Sequence, residues 1–224
     1  MKWLIVTGDD FGASCGINRG IVEAHRAGIL TSASLLVRRP ASGEAAALGR
    51  ACPGLSLGLH LDLDPADPAA AAECRRQLAR FEELAGVPPT HVDSHHNVHQ
   101  DPRVLPHVLA ATGQAGVPLR GHSAARYLGK FYGQWGGATH AEQIGVDGLL
   151  RLLDTELRDG VTELSCHPGY VDPDFDSSYL AEREMELRTL CDPRVRHALH
   201  ERRIQLIGFR DMPVRQAAVA AEAP

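Results

Sequence analysis

The 224 residues are 44% hydrophobic and 23% charged, with a formal net charge of −5, the proportions of an ordinary globular protein of one large domain or two small ones. No Lys/Arg run or stripe is present to meet phosphates, which argues against a nucleic-acid partner. Five cysteines (Cys15, Cys52, Cys74, Cys166, Cys191), odd in number and without a C-x-x-C pair, argue against a disulfide framework.

The chain opens with an apolar, β-rich run at 2–7, KWLIVT, that breaks at Gly8 and predicts a buried strand. It is too short for a signal peptide, and no later segment reaches the length of a membrane span, so a cytoplasmic protein is expected. A helix is predicted over 16–29, a strand over 30–37, a helix over 41–51 and a strand over 55–63. A strong helix follows over 67–86, with Asp67 as its cap, Pro68 in its first turn and Gly86 past its end. Residues 90–94 predict a strand, 101–116 a helix capped by Asp101 with Pro102 at its first position, and 117–120 a short strand.

The Gly- and aromatic-rich stretch 121–140 reads as a long loop, a lid or pocket wall. After it come a helix over 146–160, a strand over 161–167, two helical stretches within 178–203 and a last strand over 204–209. One domain over 1–213 is expected, with a frayed tail at 214–224. This alternation predicts an α/β fold: a (β/α) barrel, distorted or incomplete, of about seven parallel strands. The barrel is preferred over a doubly wound sheet because polar residues able to do chemistry recur at strand ends.

Four strand ends carry them: TGDDFG (Asp9, Asp10), GLHLDL (His60, Asp62), HVDSHHNVH (Asp93, His95, His96, His99) and SCHPGY (His167). Two adjacent ionised carboxylates repel unless a cation lies between them, so one aspartate suits a divalent metal and the other a base; a helix-capping pair is the alternative. His60 is either a ligand or a core histidine bonded to backbone. Alternation along HVDSH puts His91, Asp93 and His95 on one side and turns His96 away. Asp93 can orient an imidazole there, while His99 is either near the pocket or in a solvated loop. His167 suits a general acid, with a chance histidine in a turn as the alternative. Cys166 reads as a small buried hydrophobe.

Together and in this order, TGDDFG, GILTSASLLV, GLHLDL, THVDSHHNVH and CHPGY resemble the YdjC-like carbohydrate deacetylases. The resemblance implies metal-dependent removal of an acetyl group from an N-acetylated sugar. Carried over by position, Asp10, His60 and His95 would hold one divalent metal (Mg²⁺ or Zn²⁺), with Asp9 as base and His167 as acid. Asp93, His99 and Tyr170 are then expected to orient ligands or contact substrate. The sole partner expected is a saccharide, and a homodimer is left open.

Two departures stand out: Asn97 interrupts the family's histidine run, and the connection after His60 is short. Tyr127, Phe131, Tyr132 and Trp135 could complete the pocket wall and stack on a sugar, or be ordinary core. A phosphoesterase on a similar barrel would need basic residues, for which Arg38, Arg39 and Arg120 are the candidates. A sugar-binding relative without turnover should have lost an acid, base or ligand, and none is missing.

Overall fold

In chain order the computed structural model, which describes residues 1–172 and 175–212, begins with β1 (Lys2–Phe11), α1 (Cys15–Arg26), β2 (Ser32–Leu35), α2 (Ser42–Arg50) and β3 (Ser56–Leu61). It continues with α3 (Ala70–Ala85), β4 (Val92–Ser94), an irregular turn His95–Gln100, α4 (Leu105–Ala115) and β5 (Arg126–Leu128). Then come β6 (Gln134–Trp135), β7 (Ala138–Thr139), α5 (Ala141–Ile144), α6 (Val146–Glu156), β8 (Gly160–Cys166), α7 (Ala181–Cys191), α8 (Pro193–Glu201) and β9 (Ile204–Leu206). The expected tail at 214–224 lies outside the described residues.

Seven strands form one sheet in the order β4-β3-β2-β1-β8-β5, with every pairing parallel. β9 joins it against Lys2–Leu4 of β1, whereas β2 pairs further along, from Thr7 to Phe11. Helices cover the sheet, and parallel strands bring all their C-terminal ends to one rim. The barrel is incomplete. Beyond β4 the chain adds only the bridge Val92–Leu119, and then crosses to pair β5 with β8.

The predicted strand at 117–120 is thus reduced to one bridge. Pro118 can only accept, taking the N–H of Val92, and Arg120 returns its N–H to the Val92 carbonyl before Gly121 turns at φ 72°. The predicted loop 121–140 contains β5 and the hairpin β6–β7. Gly136 and Gly137, both at positive φ (60° and 78°), supply the turn that a two-residue hairpin requires. Asp67 and Asp101 each cap a turn ahead of the helix rather than the helix itself, accepting from Ala69 N and Arg103 N.

The first strand does not end at Gly8 but runs on to Phe11, nine of its ten residues buried. Its register against β2 shifts between Gly8 and Phe11, and Asp10 in that interval adopts a left-handed φ of 66°. Such a bulge re-aims side chains that would otherwise alternate between faces.

Two buried histidines lie around β4. His91 stacks on Phe209 at 4.0 Å with its Nε2 unpaired, and His99 sits between Ser94 Oγ (2.7 Å) and the Arg120 carbonyl (3.2 Å). Burial pushes both pKa values down to about 4. Their folded values lie below the unfolded value of about 6.5, so the unfolded chain binds more protons between the two. The stability they contribute is complete above pH 6.5 and is lost as pH falls toward 4. Urea unfolding at pH 7 and 4.5 should show a loss of roughly 2–3 kcal/mol per histidine. His91→Leu should flatten that dependence; an equally steep profile in this variant would show that His91 is not the group responsible.

Candidate active site

The bulge in β1 delivers two adjacent carboxylates to one place. Asp9 and Asp10 are both buried and both line a cavity of ≈ 420 Å³ at the strand ends. β3 brings His60, β4 and its turn bring Ser94, His95, His96 and Asn97, and β8 ends at Ser165 and His167 on the same wall. Tyr127, Tyr132, Tyr179 and Arg183 complete it from the segments after β4 and β8. Gly20 of α1 lets the His167 turn approach closely: a Cβ built there would lie 2.5 Å from the Gly169 Cα.

The two aspartates have different partners. Asp9 receives both terminal nitrogens of Arg120 at 2.8 Å and the Ser34 hydroxyl at 3.3 Å. Its Oδ2 lies 3.9 Å from His167 Nε2. Asp10 accepts from Arg183 through Oδ2 at 2.6 Å. Its Oδ1 is buried without a hydrogen-bond partner, 3.4 Å from His60 Nε2 and 4.0 Å from His95 Nε2. The other nitrogen of His60 lies 2.7 Å from Asp93 Oδ1, and that of His95 lies 4.0 Å from Asp62.

Burial alone would lower the His60 pKa, but Asp93, Asp10 and Asp9 around it raise it to about 10. Burial likewise opposes ionisation of Asp10, yet His60 and Arg183 hold its carboxyl well below the usual range. Asp93 is held low against its burial by Arg120 and His60. Burial lowers His95, and lowers His167 to about 4, so both rings are neutral near pH 7. Among the described residues the ion-pair partners of Asp9, Asp10 and Asp93 are the guanidinium groups of Arg120 and Arg183 and the imidazoles beside them, a carboxylate-rich floor that a divalent cation would suit.

Asp9, His60 and Asp93 place ligand-type atoms within 4.8 Å of one another, a group able to hold a metal ion. In that group, however, Arg120 is already bonded to both carboxylates and His60 Nδ1 is engaged by Asp93. Oδ1 of Asp10 makes no hydrogen bond and faces two imidazole nitrogens, the donor set a cation would suit once His60 gives up its proton.

Of the residues expected from the sequence, Asp9, Asp10, His60, His95 and His167 converge on the cavity, and Asp93 lies directly behind His60. His99 and Tyr170 do not line it. His99 is sealed beneath the turn by its bonds to Ser94 and Arg120, and the Tyr170 hydroxyl turns outward to Glu23. His96 is not turned away from the cavity. A left-handed φ of 54° folds it back against the His95 ring, 3.8 Å between centroids, on the cavity rim.

The aromatic stretch divides. Tyr127 and Tyr132 line the cavity, Phe131 is fully buried, and Trp135 stacks outside it on His140. Cys166 is buried and its thiol pushed far up by burial, which suits packing. Arg38, Arg39 and Arg120, the residues expected for a phosphate site, are all paired with carboxylates (Glu73; Asp62; Asp9, Asp93 and Glu163) and none lines the cavity. Sequence reading missed Arg183, Tyr179 and the buried pair Glu163 and Glu186, which lie in no motif, and Ser165, which opens SCHPGY beside His167. Glu186 accepts from the His167 backbone N–H and the Tyr179 hydroxyl, and burial pushes its carboxyl up to about 8.

Residues 3–72 and 64–201 match the family described as YdjC-like protein. The two pieces overlap at 64–72, in the short connection between β3 and α3. A carbohydrate deacetylase of Geobacillus stearothermophilus is 34% identical, covering 94% of this chain and 98% of its own. A chitooligosaccharide deacetylase of Serratia marcescens is 33% identical, covering 94% and 99%. Among solved structures, a protein named for cellobiose-phosphate cleavage from Enterococcus faecalis V583 superposes with a TM-score of 0.81 at 28% identity, over 94% of this chain and 98% of that one. A family 4 acetyl xylan esterase of Clostridium thermocellum, in complex with a cobalt ion, shares the fold with a TM-score of 0.60 at 13% identity, over 96% and 92%.

Proposed function

The chain belongs to the YdjC-like protein family, and on that premise we propose that it is a metal-dependent hydrolase releasing acetate from an N-acetylated amino sugar. One observation carries the reading. A buried carboxylate oxygen that makes no hydrogen bond lies 3.4 Å and 4.0 Å from two imidazole nitrogens in a polar cavity, with a second carboxylate and a third imidazole beside them. Asp10, His60 and His95 would hold the divalent cation, Mg²⁺ or Zn²⁺. When bound it would acidify water and polarise the amide carbonyl.

The chain's own residues supply the rest. Asp9, fixed by two bonds from Arg120, is aimed to take the proton of the attacking water. His167, neutral at rest, can protonate the leaving amine only after gaining a proton, and Asp9 Oδ2 is a source within a small motion of its Nε2. The proton taken from water thus ends on the amine, and the hydroxyl leaves as part of acetic acid, which gives its remaining proton to solvent as acetate. Hydroxyls of Tyr127, Ser165 and Tyr132 around the cavity suit the polar edge of a sugar, and the tyrosine rings its apolar face.

The test is acetate release from a panel of free, oligomeric, phosphorylated and lipid-linked N-acetylglucosamine compounds, with added metal and with chelator. Release that stops with chelator and in His95→Ala is expected from at least one compound. A folded protein that binds metal yet releases no acetate from any of them would overturn the reading.

A further inference from the structure

Resting on the metal-site reading above, we infer that Arg183 is a positioning residue: by occupying one oxygen of Asp10 it keeps that residue a one-oxygen ligand, and so keeps a place beside the cation open for substrate.

Arg183 comes from α7, far along the chain, and is fixed independently of Asp10. Its Nε donates to the Tyr179 carbonyl at 3.0 Å, and its guanidinium lies over the rings of Phe175 (5.6 Å) and Tyr179 (5.8 Å). The residue is 4% exposed, and its backbone carbonyl accepts from Gly169 N in the His167 turn. From this anchored position it takes Asp10 Oδ2 at 2.6 Å and leaves Oδ1 facing His60 and His95. Asp10 itself stands on a left-handed bulge, so its carboxylate is restrained from both the backbone and the Arg183 side.

A carboxylate can bind a cation through one oxygen or both, and a catalytic centre needs a position left free. The guanidinium enforces the first arrangement. It also places a positive charge beside the site and draws on the charge of Asp10, which weakens the hold on a dication. Removing Arg183 therefore frees Oδ2 to join Oδ1 and takes away a repelling charge, and both effects act in one direction. The cation is held more tightly and the free position closes. A residue serving only to brace the fold would act oppositely, because its loss would let Asp10 drift and bind more weakly.

The experiment uses Co²⁺ as probe on the full chain: wild type, Arg183→Met, Arg183→Gln and Arg183→Lys. Visible absorption reports coordination, and competition with a chromogenic chelator reports Kd. Arg183→Gln retains a polar group for the Tyr179 carbonyl, so a folded uncharged variant is at hand if the apolar one misfolds. The uncharged variants are expected to bind Co²⁺ about tenfold more tightly, opposite in sign to the ~10–100-fold loss that removing an outer partner usually brings. Their bands should weaken as coordination number rises, and kcat should fall, while Arg183→Lys stays close to wild type. An unchanged spectrum with weaker or equal binding in the uncharged variants would overturn the inference and leave the metal site standing. Absence of any Co²⁺ spectrum in wild type would overturn the metal-site reading and the inference with it.

Discussion

Asp9→Asn should lower kcat by about 10²–10⁴, the range expected for losing a positioned general base. Metal affinity in the same variant should change by less than about tenfold, below the ~10–100-fold cost of losing an outer partner of a metal site. The second measurement gives the first its meaning. Asp9 has two chemically distinct uses: base, or a member of the Asp9, His60 and Asp93 group that brings ligand atoms within 4.8 Å. If it were a ligand, Kd would rise beyond that range. The geometry favours the base, because both Asp9 oxygens already accept from Arg120 and Oδ2 faces His167.

The substitution also sets an amide N–H against a guanidinium donor, at a cost of about 1–3 kcal/mol for a buried unpaired polar group. Rates should therefore be scaled to the folded fraction from circular dichroism. A kcat within about tenfold of wild type, well short of the general-base range, would remove Asp9 from the base role.

Much of this site was legible in the sequence because parallel strands end on one rim. Once the alternation predicts a parallel sheet, the residues at the ends of β1, β3, β4 and β8 must gather, and Asp9, Asp10, His60, His95 and His167 do. What failed depended on backbone conformations without a clear local signal. That Asp9 and Asp10 reach one site was expected from the glycines beside them, but strict alternation cannot foresee the left-handed pair His96 and Asn97 that swings His96 back to the rim. The hairpin at Gly136 and Gly137 did carry a signal, and its two glycines were read only as loop. Arg183 carried none, because its role depends on where α7 docks. Arg120 ends the predicted strand 117–120, and that position, more than its charge, is the cue that brings it to the same rim.

Arg120→Met should be the most destabilising single change in the site, by roughly 3–5 kcal/mol, the cost of breaking a buried ion pair from one side. Arg120 is 1% exposed and serves three carboxylates: Asp9 through both terminal nitrogens, Asp93 at 2.6 Å and Glu163 at 2.9 Å. Removing it leaves three buried acids without their shared counter-ion. Against a total stability of about 5–15 kcal/mol, that is enough to unfold a measurable fraction at 37 °C.

The penalty should also depend on pH, and its sign follows from linkage. In the variant Asp93 and Glu163 lose the guanidinium that favours their ionised forms, so fewer buried charges remain in the folded state as pH falls. Protonated carboxyls need no counter-ion, so the difference between variant and wild type should be largest near pH 8 and shrink toward pH 5. Arg120→Lys should fall between the two, since a single ammonium cannot span three acceptors as a guanidinium fork does. Urea unfolding of the three proteins at both pH values decides the matter. A pH-independent loss of similar size would mean that Arg120 contributes through packing over Tyr127, 5.1 Å from its guanidinium, and not as the cation that makes this acidic cluster foldable.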